Sequence, residues 1–137
     1  MAESIKLAQY FKMAVPDKAG EAVKMLDAIK GAGVNLLAFS GFPRGRKAQL
    51  DFVPEDPARF KEVAKYNKWK VRGPKSCFVV QGDDRVGAVA DVLERLVAAK
   101  INVTAADAVS AGMGRFAVLI FVKPGSVKKA AAALGTI

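Results

Sequence analysis

A pair of polar residues, an aspartate and an asparagine, occurs twice in the 137-residue sequence with the same spacing. Residues of these types could bind a charged small molecule. An aspartate stands three residues before a glycine in Asp17-Lys18-Ala19-Gly20 and again in Asp84-Arg85-Val86-Gly87. An asparagine follows each glycine fifteen residues later, as Asn35 and Asn102. A helix that starts at such a glycine offers N–H donors and a positive dipole end to an anion. The aspartate and the asparagine could hold a cationic or amide group, and an amino-acid zwitterion has both kinds of end.

The same residues also have a purely structural interpretation. An aspartate before a helix caps free N–H groups, and a glycine at the corner lets two backbones approach each other. An asparagine just after a helix favours turn geometry. Taken alone, the residue types favour these structural roles.

The composition excludes several kinds of chemistry. The chain has no histidine, which removes an imidazole base, a Ser-His-Asp triad and a His-ligated metal. Cys77 is the only cysteine, so an intramolecular disulfide, a cysteine zinc site and a two-thiol redox pair are also excluded. We therefore predict no catalytic residue, no cofactor and no metal, and we expect a protein that is not an enzyme.

The sequence also bears on cellular location. Its first residues lack a basic segment followed by an apolar one, which is the pattern of a secretory signal. The longest apolar run, 116–122, is far too short to cross a bilayer. We expect a cytoplasmic protein with no membrane partner.

A net charge of +9 raises the question of nucleic-acid binding. The positive charge is spread over both halves, and five basic residues follow one another without an intervening acid: Lys65, Lys68, Lys70, Arg72 and Lys75. A solvated helix end and linker is the favoured interpretation of this basic cluster, and an anion-binding patch is the alternative. The segment 114–121 faintly resembles the aromatic third strand of RNA-recognition motifs, with Phe78 as the first-strand aromatic. Buried strand residues explain this pattern better, so we do not expect a nucleic-acid partner.

The sequence contains an internal repeat. Residues 11–35 match residues 78–102 at a constant offset of 67, which pairs the aspartates, glycines and asparagines described above. Residues 48–53 match residues 117–122 at an offset of 69, which predicts a second hairpin two residues longer. Two repeats, 1–73 and 74–137, account for the whole chain.

Each repeat is predicted to run strand, helix, strand, strand, helix. In the first repeat the strands are 11–15, 36–39, 48–53 and 69–71, with helices at 20–32 and after the Asp56-Pro57 cap. In the second repeat the strands are 77–80, 103–106 and 116–122, with helices at 88–99 and after the Ser126 cap. This order predicts an α+β fold of two tandem ferredoxin-like βαββαβ units, with antiparallel sheets and helices on one face. The second unit lacks its own C-terminal strand, so its edge is either open or filled by another segment such as 5–7.

The two repeats differ in the sheet face that the helices leave uncovered. In the first, Gln49 and Asp51 alternate with Leu50 and Phe52, which is typical of one solvated face. In the second, residues 116–122 are apolar throughout, which predicts cover on both faces. We expect this cover to come from the other repeat or a second chain, and we infer a homodimer.

At the repeated polar residues the sequence resembles the ACT domain, an amino-acid-sensing regulatory module. Both corners match that family's Asp/Asn-x-Pro-Gly motif, except that Ala19 and Val86 replace the proline. The family's Gly-(Val/Ile)-Asn-(Ile/Leu) stretch corresponds to residues 33–36 and 100–103. The resemblance implies a stand-alone tandem ACT protein that binds an amino acid or similar small metabolite between modules, and a regulated enzyme as a partner.

The resemblance also implies roles for individual residues. The helix N–H groups at Gly20 or Gly87 would face the ligand carboxylate, and Asp17 or Asp84 would take its ammonium. The asparagine would reach across from the adjoining module. The full set of implied ligand-binding residues is Asp17, Lys18, Ala19, Gly20, Asn35, Asp84, Arg85, Val86, Gly87 and Asn102. Because the serine-sensing member of the family has a histidine where this chain has Val15 and Gly82, ligand specificity cannot be carried over. A ligand-free dimerisation module is the main alternative function, and RNA binding is a weaker one.

Overall fold

A computed structural model describes residues 3–136 of the chain. The fold is α+β, with six strands, four α-helices and a short 3-10 turn. The strands are β1 (Ser4–Pro16), β2 (Leu36–Arg44), β3 (Lys47–Pro54), β4 (Arg72–Asp83), β5 (Val103–Gly112) and β6 (Arg115–Val122). The helices are α1 (Glu21–Gly31), α2 (Pro57–Tyr66), α3 (Ala88–Ala98) and α4 (Val127–Leu134). β3 pairs antiparallel with both β1 and β2, and β6 pairs antiparallel with both β4 and β5.

The chain divides into two compact units. The N-terminal unit is Gln9–Lys75, and the C-terminal unit combines the described residues up to Ala8 with those that follow Lys75. The start of β1 therefore belongs to the C-terminal unit, whereas the sequence assigned it to the first repeat. There it lies beside β4, and Ile5 packs against the apolar core. This segment occupies the sheet edge that the second repeat leaves without a strand of its own.

The core of the N-terminal unit lies between its sheet and helices α1 and α2. Phe11 of β1 and Phe52 of β3 are register partners, and both contact Phe60 of α2, with ring centroids 4.7 and 5.3 Å away. Ile29 of α1 completes this cluster, and all four side chains are almost fully buried. Alternate strand residues therefore face the helices, as the period of a strand requires.

The C-terminal unit has a separate core between its sheet and helices α3 and α4. Phe78 of β4 pairs with Ile120 of β6, and Leu96 and Leu134 cover them from the two helices. On β6, all residues from 116 to 122 except Ala117 are buried. The expectation that this strand is covered on both faces is therefore confirmed.

The boundaries of several elements differ from the predicted ones. The segment 69–71 is not a strand: Trp69 packs near Phe60, with ring centroids 6.5 Å apart, and the strand begins only at Arg72. The predicted 41–47 turn shrinks to two residues because β2 and β3 pair out to Arg44 and Lys47. Asp56 caps α2 as predicted, accepting a hydrogen bond from the Arg59 N–H at 3.1 Å. Ser126 precedes α4, but its side chain makes no capping bond.

The strand register also corrects the repeat offset. Phe52 pairs with Phe11, and Ile120 pairs with Phe78, which is the residue equivalent to Phe11. The third strands of the two repeats therefore correspond at an offset of 68, and the offset of 69 was wrong by one residue. By this register Ala48, which pairs with Val15, is equivalent to Phe116, which pairs with Gly82.

Candidate functional site

The two predicted corners have the same backbone geometry. Gly20 and Gly87 occupy the N-cap positions of α1 and α3, with φ of +90° and +84°. An L side chain rarely adopts this left-handed conformation, which explains a glycine at both positions. Neither helix has a side-chain cap, so the expectation that Asp17 and Asp84 act as capping residues was wrong.

The first corner opens onto a cavity of about 340 Å³ in the N-terminal unit. Its charged lining residues are Asp17, Lys18 and Glu21. The rest of its lining is mostly apolar and includes residues of β1, β2 and β3: Val15, Phe39, Phe42, Pro43, Ala48 and Leu50. Small-molecule sites commonly combine a mostly apolar lining with a few polar groups at this volume.

Glu21 is a site residue that the sequence analysis missed. Glu21 is only 8% exposed, and its carboxylate lies 3.6 Å from the Lys18 ammonium and 3.4 Å from the Lys24 ammonium. The sequence did contain a sign of these ion pairs. Lysines stand three residues before and three residues after the glutamate, which is the spacing of helical ion pairs. Because Glu21 is paired with both lysines, Asp17 is the carboxylate of the lining that can hold a cationic group of the ligand.

Asp17 differs from Glu21 in its contacts. Among residues 3–136 its carboxylate has no ion pair or side-chain hydrogen bond, and the residue is exposed. It is therefore free to accept hydrogen bonds from a ligand.

Asn35 does not join Asp17 in this cavity. It is exposed at the start of β2, where its Nδ2 donates to the Glu55 carboxylate at 3.0 Å. It lines a second cavity of about 360 Å³, together with Leu26 and Lys30 of α1. Within one unit, the aspartate and asparagine identified from the sequence thus lie in separate cavities.

The second corner carries more internal bonds. Ser110 of β5 donates its hydroxyl to the Asp84 carboxylate at 2.9 Å, and the Asp84 N–H donates to the Gly114 carbonyl at 2.8 Å. Arg85, the counterpart of Lys18, forms an ion pair with Asp91. Val86 is exposed beside it, as is Asn102 after α3.

Asp51 lies on the sheet face of the N-terminal unit, where a solvated face was predicted. That expectation was wrong at this position, because Asp51 is only 7% exposed. Its carboxylate accepts from Gln49 Nε2 at 3.0 Å, and Gln49 in turn accepts from Arg44 at 2.7 Å. Lys12 is its register partner on β1. A buried carboxylate is tolerable here because it has polar neighbours.

A larger cavity, about 490 Å³, lies elsewhere in the unit and is lined by residues of α1 and α2. Arg59 and Asn67 line it, but Arg59 is paired with Glu62 at 3.0 Å, and Asn67 donates to the Val63 carbonyl at 2.9 Å. Because its main polar groups are already bonded, this cavity is a weaker candidate than the one at Asp17.

The aromatic residues considered for RNA stacking are not available for that role. Phe78, Phe116 and Phe121 are all buried. The basic cluster of residues 65–75 is exposed at each of its five charged positions. Base stacking needs aromatic faces that the nucleic acid can reach, and these three rings are covered.

Metal and membrane sites were sought across residues 3–136. No group of three or more His, Cys, Asp or Glu side chains there could hold a metal ion. In the same residues no helix is long and apolar enough to cross a membrane.

The chain was compared with known proteins. No family model and no curated protein matches its sequence. Protein BT0572 from Bacteroides thetaiotaomicron matches in structure over 96% of this chain and 88% of its own, with a TM-score of 0.82 and 18% identity. The ligand-free regulatory subunit of aspartate kinase from Thermus thermophilus covers 97% and 94%, with a TM-score of 0.65 and 16% identity. A structure of aspartokinase alpha and beta subunits covers 98% and 95%, with a TM-score of 0.66 and 20% identity.

These structural matches extend over nearly the whole chain, and one of them is the regulatory subunit of an aspartate kinase. At identities of 20% or less, the likeness concerns the fold. The resemblance to ACT-type regulatory domains that the repeated corners predicted is confirmed at that level. The chain thus has the same fold as the regulatory subunit of aspartate kinase from Thermus thermophilus.

Proposed function

We propose that the chain is a regulatory protein that binds an amino acid or a similar small metabolite. In this proposal residues 1–73 and 74–137 are two ACT-like repeats of the ferredoxin-like βαββαβ type, the second without a C-terminal strand of its own. The ligand occupies the corner 17–20 or its counterpart 84–87, and an asparagine, Asn35 or Asn102, completes the site from an adjoining module. The observation that carries the proposal is the cavity beside Asp17, whose lining combines a free carboxylate with mostly apolar side chains.

The charges at that cavity fit a zwitterion. Asp17, which lines the cavity, can accept hydrogen bonds from an ammonium. Lys18 is 68% exposed at its side chain, so it can turn from Glu21 toward a ligand carboxylate at little cost. The start of α1 adds a positive dipole end on the same side.

We propose a regulated enzyme as the partner and a homodimer as the assembly. Solved relatives of the fold include regulatory subunits of aspartate kinase, which supports a role in controlling an enzyme. β5 is exposed along nearly its whole length, including Val109, and an exposed strand can pair with a second copy. A ligand held between modules favours one arrangement of them, with a coupling of about 1–3 kcal/mol.

The proposal is tested by the melting temperature of the chain in the presence of each of the twenty amino acids. A ligand at a hundred times its dissociation constant adds about 2.7 kcal/mol of stability, which raises the melting temperature by several degrees in a chain this small. We expect one or a few related amino acids to raise the melting temperature. The double variant that carries both Asp17→Asn and Asp84→Asn should lose this increase. No shift with any amino acid would favour the ligand-free dimerisation module.

A further inference from the structure

We propose that the two corners have divided their roles: the N-terminal corner binds an apolar amino acid, and the C-terminal corner is closed by its own side chains. The chain then binds one ligand, although its sequence carries two matching corners. This inference rests on the proposed function and adds the occupied site and the ligand class.

The first argument is an exchange of side-chain size between equivalent positions. In the N-terminal unit Val15 pairs with the small Ala48, and both line the cavity. In the C-terminal unit Gly82 pairs with Phe116. The Phe116 ring lies directly over Gly82, with its Cε1 only 2.7 Å from the place where a Cβ at residue 82 would stand. The buried Phe116 ring thus occupies the strand position that the small Ala48, which lines the cavity, holds in the N-terminal unit.

The second argument concerns the two aspartates. Pro43 pairs with Ala48, and Ser110 pairs with Phe116, so residues 43 and 110 are equivalent. Ser110 donates a hydrogen bond to Asp84. Proline has no side-chain donor, so the corresponding residue in the first unit cannot satisfy Asp17 in this way. One aspartate is already bonded within the chain, and the other is free for a ligand.

The third argument concerns the aromatic residues that line the cavity at Asp17. Phe39 and Phe42 line the first cavity and are 37% and 43% exposed. By register their counterparts are Ala106 and Val109, which offer much less aromatic surface. With the Asp17 carboxylate in the same lining, the cavity suits an ammonium carried by an apolar body. Among amino acids, those with aliphatic or aromatic side chains have this combination.

The experiment is isothermal titration of the full chain with L-leucine, L-phenylalanine, L-serine and L-aspartate. We expect binding of leucine or phenylalanine at one molecule per chain, and at least tenfold weaker binding of serine and aspartate. Replacing the best binder by its analogue without the amino group should abolish binding, because Asp17 then has no ammonium to hold.

Three variants locate the site. Asp17→Asn should weaken binding at least tenfold, whereas Asp84→Asn should leave affinity and stoichiometry unchanged. Ala48→Phe copies the closed corner into the first unit and should also abolish binding. Since Ala48→Phe could disturb folding, Asp17→Asn at its exposed position keeps the assignment testable.

The outcomes separate the two proposals. Two molecules per chain, or a loss of binding in Asp84→Asn alone, would overturn the division of roles and leave the proposed function standing. Tight binding of serine or aspartate alone would overturn the ligand class. No heat of binding with any of the amino acids, together with no thermal shift, would overturn both proposals.

Discussion

The phenyl ring of Phe116 covers the backbone of Gly82, its partner across the β4–β6 ladder. In the equivalent pair of the N-terminal unit, Val15 is larger than glycine and Ala48 is smaller than phenylalanine. A large side chain thus stands on β1 in one unit and on β6 in the other. In the N-terminal unit the small Ala48 leaves space beside the corner. In the C-terminal unit the Phe116 ring fills the equivalent strand position.

Gly82→Ala should lower the free energy of unfolding by about 1–3 kcal/mol, since the added methyl group would meet a buried ring. The backbone at Gly82 is not left-handed, so the cost comes from this contact and not from strain in φ. Chemical denaturation measures the change. Gly31→Ala is the control, because a Cβ there meets nothing within 4 Å, and it should leave the stability equal or slightly higher. Equal effects of the two substitutions would contradict the packing described for Phe116.

The two predicted helix caps should respond differently to alanine. Asp56→Ala removes the hydrogen bond to the Arg59 N–H at the start of α2 and should cost about 1 kcal/mol. Ser126→Ala removes no capping bond at α4 and should change stability by less than about 0.5 kcal/mol. Thermal or urea denaturation of both variants checks this. A larger loss for Ser126→Ala than for Asp56→Ala would show that the caps are assigned to the wrong helix.

Asp51→Ala should destabilise the chain by about 1–3 kcal/mol, because it leaves the Gln49 amide without its acceptor on a covered face. Asp27→Ala on the exposed surface of α1 is the matched control and should be nearly neutral. Urea titrations of the two variants under the same conditions give the comparison. If Asp51→Ala matches the control, the Asp51–Gln49–Arg44 network contributes nothing to stability.

The Lys12 ammonium should make stability depend on alkaline pH. Burial lowers the pKa of Lys12, and the nearby Lys75 ammonium lowers it further, while Asp51 acts in the opposite direction. Between that lowered pKa and about 10.5, the unfolded chain binds more protons than the folded chain. The contribution of Lys12 to the free energy of unfolding therefore rises as pH increases through this interval.

This pH effect can be isolated by comparing the wild-type chain with Lys12→Met. The difference in unfolding free energy should move in favour of the wild type as the pH rises from neutral toward about 10.5. Lys6→Met, at an exposed position, provides the control for the loss of a lysine side chain from the same strand. A difference for Lys12→Met that moves the other way would mean that Asp51 dominates its environment.

Much of the fold could be predicted from residue patterns. Helices α1, α2 and α3 began where glycine, or aspartate followed by proline, marked their starts. The repeat predicted equivalent corners at Gly20 and Gly87, and both have the same left-handed backbone. These features depend on neighbours in the sequence, which explains why they could be read from it.

Features that depend on distant partners were predicted less well. The segment 69–71 has strand-forming residues, but Trp69 packs near Phe60, and the strand starts after it. The burial of Asp51 depends on what covers its sheet face, which alternation along one strand cannot tell. The difference between the two corners was not predicted from the sequence. It depends on cross-strand pairs such as Ala48 with Val15, and the third strands of the two repeats had been aligned one residue out of register.

The most direct test of ligand binding at the Asp17 corner is chemical-shift mapping of the ¹⁵N-labelled chain titrated with L-leucine and, separately, with L-phenylalanine. The account predicts saturable shifts of the amide signals of Lys18, Glu21 and Phe42 with at least one of them, while the signals of Arg85 and Ala88 stay in place. Saturable shifts confined to Arg85 and Ala88, or no shift of any amide with either amino acid, would contradict it.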